Sequence, residues 1–169
     1  MRSLRLLLLI PVVVAASLSA YAKEPAMLSL EDQTGVNRTI DGISDAWNRH
    51  DMDAYGTFLT DDCDWVNVVG MHWSGKAQVL KAHRAFHATM FKETGVHELG
   101  RQLGYVAPGV AIAVITFTLD DYTEPSGTLM SNVHDCITYI LVKQHNRWLI
   151  RSAHNTTTNL AAAKHDPGK

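Results

Sequence analysis

The apolar positions in the first half of the chain recur at helical spacing. Over residues 31–50, apolar side chains three or four positions apart form one stripe, which predicts an amphipathic helix. Asp51 is a suitable N-cap for a short second helix over 52–59, and a third helix is predicted over 76–92. The stripe of the third helix carries two histidines among its apolar residues: Val79, Leu80, His83, Phe86, His87, Met90 and Phe91.

The remainder of the chain alternates at the two-residue period of β-strands. Short strands are predicted over 64–69 and 71–74, with Trp65, Asn67 and Val69 on one side of the first. Four longer strands follow, separated by turn residues, over 98–105, 110–122, 128–143 and 148–157. Helices that precede an antiparallel meander make an α+β fold, in which a long curved sheet wraps around a helix and encloses a cone-shaped interior.

The N-terminus has the pattern of a secretory signal peptide over residues 1–22. Arg2 and Arg5 precede a short apolar stretch, and Ala20-Tyr21-Ala22 supplies the small residues that signal peptidase requires. The apolar stretch is shorter than the roughly 20 residues needed to span a bilayer. We therefore expect an exported (periplasmic or secreted), soluble chain that begins at Lys23; the alternative is a retained N-terminal anchor.

Cleavage would leave 147 of 169 residues, which is enough for one domain with its own core. The pattern predicts a flexible lead over 23–31, a single domain over 32–158 and a disordered tail over 159–169. Without its first 22 residues the chain has 13 basic residues against 17 acidic ones, a net charge of −4 with neutral histidine. This mild acidity, without any basic run, argues against nucleic acid or an anionic membrane surface as a partner.

The two cysteines, Cys63 and Cys136, are too few for a disulfide framework. Export would permit a bond between them. The other interpretation is two buried thiols that pack as small hydrophobic side chains, and sequence spacing does not decide between the two.

Several short segments carry a family resemblance. They are Asp45-Ala46-Trp47-Asn48 with Asp51, Asp64-Trp65-Val66-Asn67-Val68-Val69-Gly70-Met71, Trp73-Ser74-Gly75-Lys76, His83-x-x-x-His87, Trp148-Leu149-Ile150 and His154-Asn155-Thr156. Over about residues 33–157, the chain resembles the SnoaL-like branch of the nuclear transport factor 2 superfamily. More narrowly, it resembles the SgcJ/EcaC group of that branch, which carries an oxidoreductase label.

The resemblance implies a strongly curved, mixed or antiparallel sheet with three N-terminal helices, the cystatin-like α+β barrel, and a deep cone-shaped pocket. It also implies a homodimer formed through the sheet. Members of the superfamily include ketosteroid isomerases, polyketide cyclases, dehydratases and non-catalytic association domains, so the fold does not define the function. The chain has no dinucleotide-binding, flavin or haem motif, and we expect no cofactor.

His83 and His87 are the leading catalytic candidates. They lie one helical turn apart on the apolar face of the third predicted helix, where an imidazole needs a hydrogen-bond partner or a ligand. A pocket role would make them a general acid–base pair, whereas a structural role would bond them to the backbone or to Asn67. Asn67 is the third catalytic candidate, because a polar amide beside Trp65 in mid-strand could orient a ligand carbonyl.

Aromatic residues at helical and strand spacing would line the pocket and favour a flat, apolar ligand. His134 shares a strand face with Cys136 and Thr138, which is either the pocket or a dimer surface. One of the two neighbours His154 and Asn155 must point inward. The ligand-binding candidates are Trp47, Tyr55, Phe58, Trp65, His134, His154 and Asn155.

A metal site is the less favoured interpretation of the histidine pair. The spacing supplies two ligands and lacks the glutamate of metalloprotease helices, so a third ligand would have to come from His134, His154 or Asp64. We therefore expect a pocket that binds a small apolar or aromatic compound, with either acid–base chemistry of the isomerase, cyclase or hydratase type or the oxidoreductase activity of the family label. The alternative is a non-catalytic, dimeric ligand-binding or association module.

Overall fold

The computed structural model describes residues 27–168, so the predicted signal peptide (1–22) and residues 23–26 of the predicted lead lie outside the described residues. No helix in the described range is long and apolar enough to cross a membrane. The helices are α1 (Leu30–Asn48), α2 (Met52–Gly56), α3 (Lys76–His87) and α4 (Leu160–Ala163). The strands are β1 (Leu59–Val66), β2 (His72–Ser74), β3 (Val96–Ala107), β4 (Val110–Leu119), β5 (Tyr122–Thr123), β6 (Leu129–Met130), β7 (Val133–Gln144) and β8 (Arg147–Thr157).

Helix α1 has a capped N-terminus that is also tied to the sheet. The Ser29 hydroxyl accepts a hydrogen bond from the Asp32 backbone N–H at 3.0 Å, which satisfies one of the free amide groups at the helix start. The Asp32 carboxylate in turn accepts hydrogen bonds from Lys143 Nζ at 2.8 Å and from Trp148 Nε1 at 3.2 Å. These contacts join the start of α1 to the hairpin between β7 and β8.

The main sheet has the strand order β2-β1-β8-β7-β4-β3, and β5 pairs with β6 in a separate hairpin. Its neighbouring strands are antiparallel except β1 and β8, which are parallel, so the sheet is mixed. At the β7–β8 turn, His145 and Asn146 take φ values of 47° and 63°, the left-handed pair that a two-residue hairpin loop needs. Strands β4 and β7 pair without interruption from Val110 opposite Val142 to Leu119 opposite Val133.

Strand alternation sends one set of side chains toward the helices and the other set to the opposite face of the sheet. The predicted stripe of α1 packs on the inner face, with Val36, Ile40 and Ile43 each at most 2% exposed. A glycine allows close approach here, since a Cβ on Gly35 would lie 2.5 Å from Cδ1 of Trp148. The inward residues of β7 are all buried: Val133, Asp135, Ile137, Tyr139 and Leu141.

The first half of the chain differs from the prediction around the second helix. Helix α2 ends at Gly56 and β1 begins at Leu59, so the predicted helix over 52–59 was too long. The acidic pair Asp61 and Asp62 lies within β1, whereas the sequence predicted a turn. The strand can hold two consecutive acidic residues because its register is irregular between Leu59 and Asp64, and both side chains are exposed. Arg151 on β8 pairs with Asp62 at 3.1 Å.

Of the later elements, α3, β4 and β7 are shorter than predicted, whereas β3 and β8 are slightly longer. Helix α3 ends at His87, and turns follow it over 88–93. The strand predicted over 110–122 stops at Leu119, because the Asp120 side chain leaves the ladder to accept a hydrogen bond from the Gly95 N–H at 3.0 Å. The chain beyond it forms the β5–β6 hairpin, which the sequence pattern had placed within two long strands.

The two cysteines lie on opposite faces of the sheet. Cys63 is fully buried on the inner face of β1, whereas Cys136 alternates with the inward residues of β7. Both are free thiols, which favours the interpretation of two packed thiols over a disulfide. In the segment predicted as a disordered tail, residues 160–163 form one exposed helical turn capped by the side chain of Asn159.

Candidate functional site

A cavity of about 300 Å³ lies between the inner face of the sheet and helices α1, α2 and α3. Its volume is at the lower end of the range for small-molecule sites. Three tryptophans, three tyrosines and three phenylalanines line it, together with aliphatic side chains and a few polar groups. The polar groups on which the chemistry depends are His83, Asn67, Asp135 and Asn155.

His83 projects from α3 into this aromatic wall and bonds to Tyr55. Its Nδ1 lies 2.9 Å from the Val79 carbonyl oxygen, and its Nε2 lies 3.3 Å from the Tyr55 hydroxyl. Because a carbonyl can only accept, Nδ1 carries the proton, and Nε2 accepts the Tyr55 O–H. Rings of Trp65 and Trp73 stand edge-on to the imidazole, with centroids 5.0 Å and 5.6 Å away.

Burial keeps this pair neutral. It lowers the pKa of His83 to about 4, against a weaker opposing effect of the hydrogen bond to Val79. It also raises the pKa of the Tyr55 phenol well above its usual value. At neutral pH the two side chains therefore offer a ligand the lone pairs of the Tyr55 oxygen and no charge.

The structure separates His87 from His83. His87 lies in an open depression outside the cavity, next to His50, Asp51 and Arg84. Its Nδ1 is 2.8 Å from Nδ1 of His50, so one imidazole donates to the other, while its buried Nε2 has no partner among the described residues. Burial, then the neighbouring His50, lowers the pKa of His87 to about 4. The sequence placed both histidines in one pocket, but only His83 lines the cavity.

Asn67 lines the cavity, but half of its amide is used by the backbone. Its Oδ1 accepts hydrogen bonds from the N–H groups of Val69 at 3.2 Å and Met71 at 2.8 Å. These bonds stabilise the turn between β1 and β2. The NH₂ group is the part of Asn67 that remains for a ligand, and it can donate to a carbonyl as predicted.

Asp135 is the acidic group that the sequence analysis missed. It is 5% exposed on the inner face of β7 and lines the cavity. Its Oδ2 accepts a hydrogen bond from Asn155 Nδ2 at 3.3 Å, whereas its buried Oδ1 has no partner among residues 27–168. Burial raises the pKa of Asp135 above its usual value, while its cross-strand neighbour Thr157, then Asn155 and the charge of His134, act in the opposite direction. The cavity thus contains a carboxyl with one oxygen unused.

The Tyr55–His83 pair and Asp135 occupy different levels of the cavity. Tyr139 packs on Trp65, whose ring in turn lies beside His83, with centroids 6.0 Å and 5.0 Å apart. Asp135 is four residues before Tyr139 on the same face of β7, which corresponds to roughly 13 Å along a strand. A ligand with polar groups at both ends could contact both levels.

The other predicted ligand-binding residues divide between the cavity and the outside of the fold. The cavity is lined by Trp47, Tyr55, Trp65 and Asn155. Phe58 packs on Gly42 of α1, and His134 and His154 lie on the outer face of the sheet. Asp135 could have been identified from the sequence. Residues 133, 135, 137, 139 and 141 alternate with His134, so they share the face of the strand opposite to it.

The described residues contain no group of three histidine, cysteine, aspartate or glutamate side chains that could hold a metal ion. The positions suggested as a third ligand explain this, since His134 and His154 are on the far side of the sheet from His83. Asp64 is engaged by Arg151 at 3.0 Å.

Comparison with known proteins identifies the family. The chain matches the model of the SnoaL-like domain over residues 40–146, and no curated protein matches it. The crystal structure of a protein with a cystatin-like fold from Caulobacter vibrioides is 35% identical to this chain. The match covers 80% of this chain and 96% of that one, with a TM-score of 0.78.

Two more distant structures share the fold. One, from Novosphingobium aromaticivorans, is provisionally named a scytalone dehydratase; it is 13% identical over 75% of this chain and 83% of its own, with a TM-score of 0.63. Another, from Xanthomonas campestris, is provisionally named a calcium/calmodulin-dependent protein kinase II association domain; it is 17% identical over 74% and 86%, with a TM-score of 0.59. With its curved mixed sheet and inner cavity, the chain belongs to the SnoaL-like family of the nuclear transport factor 2-like superfamily.

Proposed function

We propose that the chain binds a small, flat and largely apolar molecule in the cavity and that Asp135 exchanges a proton with it. The reaction would be an isomerisation, cyclisation or hydration, each of which needs a proton donor or acceptor. Asn155 holds one oxygen of the Asp135 carboxyl and leaves the other for the ligand. Tyr55, held by His83, and the NH₂ group of Asn67 would orient the ligand.

The observation that carries this proposal is the unpaired Oδ1 of Asp135 within an aromatic cavity. A buried polar atom without a partner costs about 1–3 kcal/mol, and such an atom in a folded chain calls for an explanation such as a ligand. The raised pKa of Asp135 also brings the carboxyl closer to the range in which it can both give and accept a proton. His83, with a pKa of about 4, is the weaker base at neutral pH.

The family supports a ligand-binding domain with acid–base chemistry. The relative provisionally named a scytalone dehydratase has the same fold, and a dehydratase removes water by moving protons. At 13% identity its activity enters only as support for our proposal. Membership of the SgcJ/EcaC group, with its oxidoreductase label, is a narrower prediction that rests on the segments at 64–71 and 83–87.

The variant Asp135→Asn tests the proposal, because it keeps the size of the side chain and removes its titratable proton. Three of the four tryptophans line the cavity, so intrinsic fluorescence can report binding for a panel of bicyclic aromatic ketones and alcohols. Mass spectrometry of the recovered compounds then detects conversion. We expect Asp135→Asn to bind within about threefold of wild type and to react about 10²- to 10⁴-fold more slowly.

Asp53→Asn is the matched control, because it makes the same chemical change at a side chain that is 90% exposed outside the cavity. It should leave both binding and conversion unchanged. Undiminished conversion in Asp135→Asn would exclude a proton-transfer role for this carboxyl.

A non-catalytic ligand-binding or association module is the second candidate. Tyr55 and His83 bond to each other, and burial keeps both neutral, so this pair provides little acid–base reactivity. The relative provisionally named an association domain has the same fold. Binding of the panel by the wild-type chain without conversion of any member would favour this function.

We also propose that the chain is exported, with cleavage after Ala22, and that it forms a homodimer through the outer face of the sheet. The signal-peptide pattern of residues 1–22 supports export. The outward residues of the central strands support the dimer because they are apolar and only half-buried: Val110, Ile112, Val114, Ile140 and Val142. An apolar sheet face of this kind is typical of a permanent interface.

A further inference from the structure

The cavity has an excess of negative charge. Its lining includes Glu98, Glu124 and Asp135 but no lysine or arginine. Arg101 reaches Glu98 from outside the lining and bonds to both of its oxygens, at 3.0 Å and 2.6 Å. It also pairs with Asp41 at 2.6 Å, so its charge is already balanced. Among the described residues that line the cavity, no lysine or arginine is therefore left to neutralise Asp135.

Two aromatic residues, Phe117 and Tyr122, share the cavity lining with Asp135. Phe117 is directly opposite Asp135 in the β4–β7 ladder, where cross-strand Cβ atoms are about 4.5–5.5 Å apart. Tyr122 lines the same cavity, and burial, then the charge of Asp135, raises the pKa of its phenol. Phe91 holds the Tyr122 ring, with centroids 4.9 Å apart. A carboxylate together with aromatic rings is the combination that proteins use to recognise organic cations.

We infer that the ligand of this cavity carries a basic nitrogen, whose ammonium group binds between Asp135 and the rings of Phe117 and Tyr122. The inference rests on the proposed function only in using the same cavity as a ligand site, and it holds with or without conversion of the ligand. An ammonium N–H would donate to Oδ1, the atom that lacks a partner in the described chain. Its charge would be balanced by the carboxylate and attracted by the ring faces.

The alternatives to an ammonium group fit these residues less well. A ligand carboxylate would approach Glu124 and Asp135 with no basic side chain in the lining to receive it. A ligand hydroxyl can donate to Oδ1, but a neutral hydrogen bond is roughly half as strong as a charge-assisted one. The cavity should therefore rank an amine above its isosteric alcohol, and the alcohol above the carboxylate.

The test compares aromatic amines with their alcohol and carboxylate isosteres on the wild-type chain. The probes are naphthylethylamine, naphthylethanol and naphthylacetate, with the phenyl compounds as a smaller series, each titrated by tryptophan fluorescence and by calorimetry. We expect at least about tenfold tighter binding for each amine than for its alcohol. Asp135→Asn should reduce this preference to about twofold or less, whereas Asp53→Asn should preserve it, because the Asp53 side chain is 90% exposed outside the cavity.

The outcomes separate this inference from the proposed function. If alcohols bind as tightly as amines, the cavity is a ligand site but does not select a basic nitrogen. If no member of any series binds, the proposed ligand site fails as well. Retention of the full amine preference in Asp135→Asn would also overturn the inference, and Glu124→Gln provides a second removal of charge from the cavity if Asp135→Asn does not fold.

Discussion

At the scale of single residues, burial sets the acid–base state of the cavity. His83 has no ionic partner, and its removal from water favours the neutral imidazole. The same cause acts on Asp135 with the opposite result, because burial of a carboxyl favours its neutral, protonated form. Burial therefore shifts the two pKa values in opposite directions, and each group should make folding stability depend on pH.

His83 should destabilise the fold as the pH falls. Its pKa is about 4 in the folded chain against an ordinary value of 6.5, so the unfolded chain binds a proton more readily between these values. The free energy of unfolding should decrease as pH falls from about 6.5 to about 4, by roughly 3 kcal/mol at 1.36 kcal/mol per pKa unit. Urea unfolding of wild type and His83→Gln across this range measures it, and the variant should show the smaller loss.

The other titrating groups are present in both proteins. His87, whose pKa is also lowered to about 4, should add its own loss over the same range, so the difference between wild type and His83→Gln measures the contribution of His83. Asp135 contributes with the opposite sign, since its raised pKa makes the folded chain the better proton acceptor, but it is the same in both proteins. The carboxylates of Asp32, Asp64 and Asp120 have lowered pKa values, so their stabilising contribution is lost only at still lower pH. His154→Gln, on the outer sheet face, is the control and should follow wild type; an identical pH dependence in His83→Gln would contradict the prediction.

Sequence reasoning found the inward face of α3 but not which of its residues reach the cavity. Helical spacing placed His83 and His87 together, yet α3 ends at His87, where the imidazole turns toward His50 instead. The sequence analysis singled out His134 and Cys136, which lie on the outer face of β7, and so missed Asp135 on the inner face of the same strand. Whether an amide such as that of Asn67 is free or bonded in a turn depends on backbone geometry that periodicity does not contain.

At the scale of elements, α1 can lie close to the sheet and to Phe58, which directly precedes β1, because of its glycines. A Cβ on Gly35 would lie 2.5 Å from Cδ1 of Trp148, and one on Gly42 would clash with the Phe58 ring. Gly35→Ala and Gly42→Ala should therefore lower the free energy of unfolding by about 1–3 kcal/mol, although alanine is intrinsically the better helix former by about 1 kcal/mol. Chemical denaturation monitored by circular dichroism measures the change.

The control for these glycines is a substitution on the exposed side of the same helix. Arg38→Ala, at an exposed position of α1, should change stability by no more than about 0.5 kcal/mol. If the clash is the cause, the double variant Gly42→Ala/Phe58→Leu should recover part of the loss, since the smaller side chain frees the space. Greater stability in both glycine variants would mean that helix propensity outweighs packing here.

The elements were easiest to predict where one periodicity runs uninterrupted. The stripe of α1 and the alternation of β8 gave a helix and a strand close to their observed bounds. The errors lie where a side chain bonds to a distant backbone group, as Asp120 does at Gly95, or where the register is irregular, as near Asp61 and Asp62. Neither event leaves a periodic signal, because each depends on which strands become neighbours.

At the scale of the whole molecule, the sheet presents an apolar outer face opposite the cavity. Ile112 and Ile140 are cross-strand neighbours on this face. Covering such apolar side chains with a second sheet would remove more of their surface from water and stabilise the dimer. A dimer of this kind would bury the outer face while leaving the cavity of each subunit on its own inner side. Ligand binding and subunit association should therefore be separable.

Native mass spectrometry of the exported protein tests association and processing together. We expect a dimer of 147-residue chains that begin at Lys23, because cleavage after Ala22 removes the signal pattern. Ile140→Lys should give a monomer, since a buried, unpaired ammonium at the centre of the interface costs several kcal/mol. The monomer should still bind the cavity ligands, because its inner face is unchanged.

Leu129→Lys adds the same charge on the β5–β6 hairpin, where Leu129 is 63% exposed, and should remain dimeric. A wild-type monomer at micromolar concentration would contradict the interface, and a dimer of Ile140→Lys would place the interface elsewhere on the molecule. A chain that retains residues 1–22 would instead support the anchored alternative. Subunit mass and oligomeric mass come from the same spectrum, so the result for processing does not depend on the result for association.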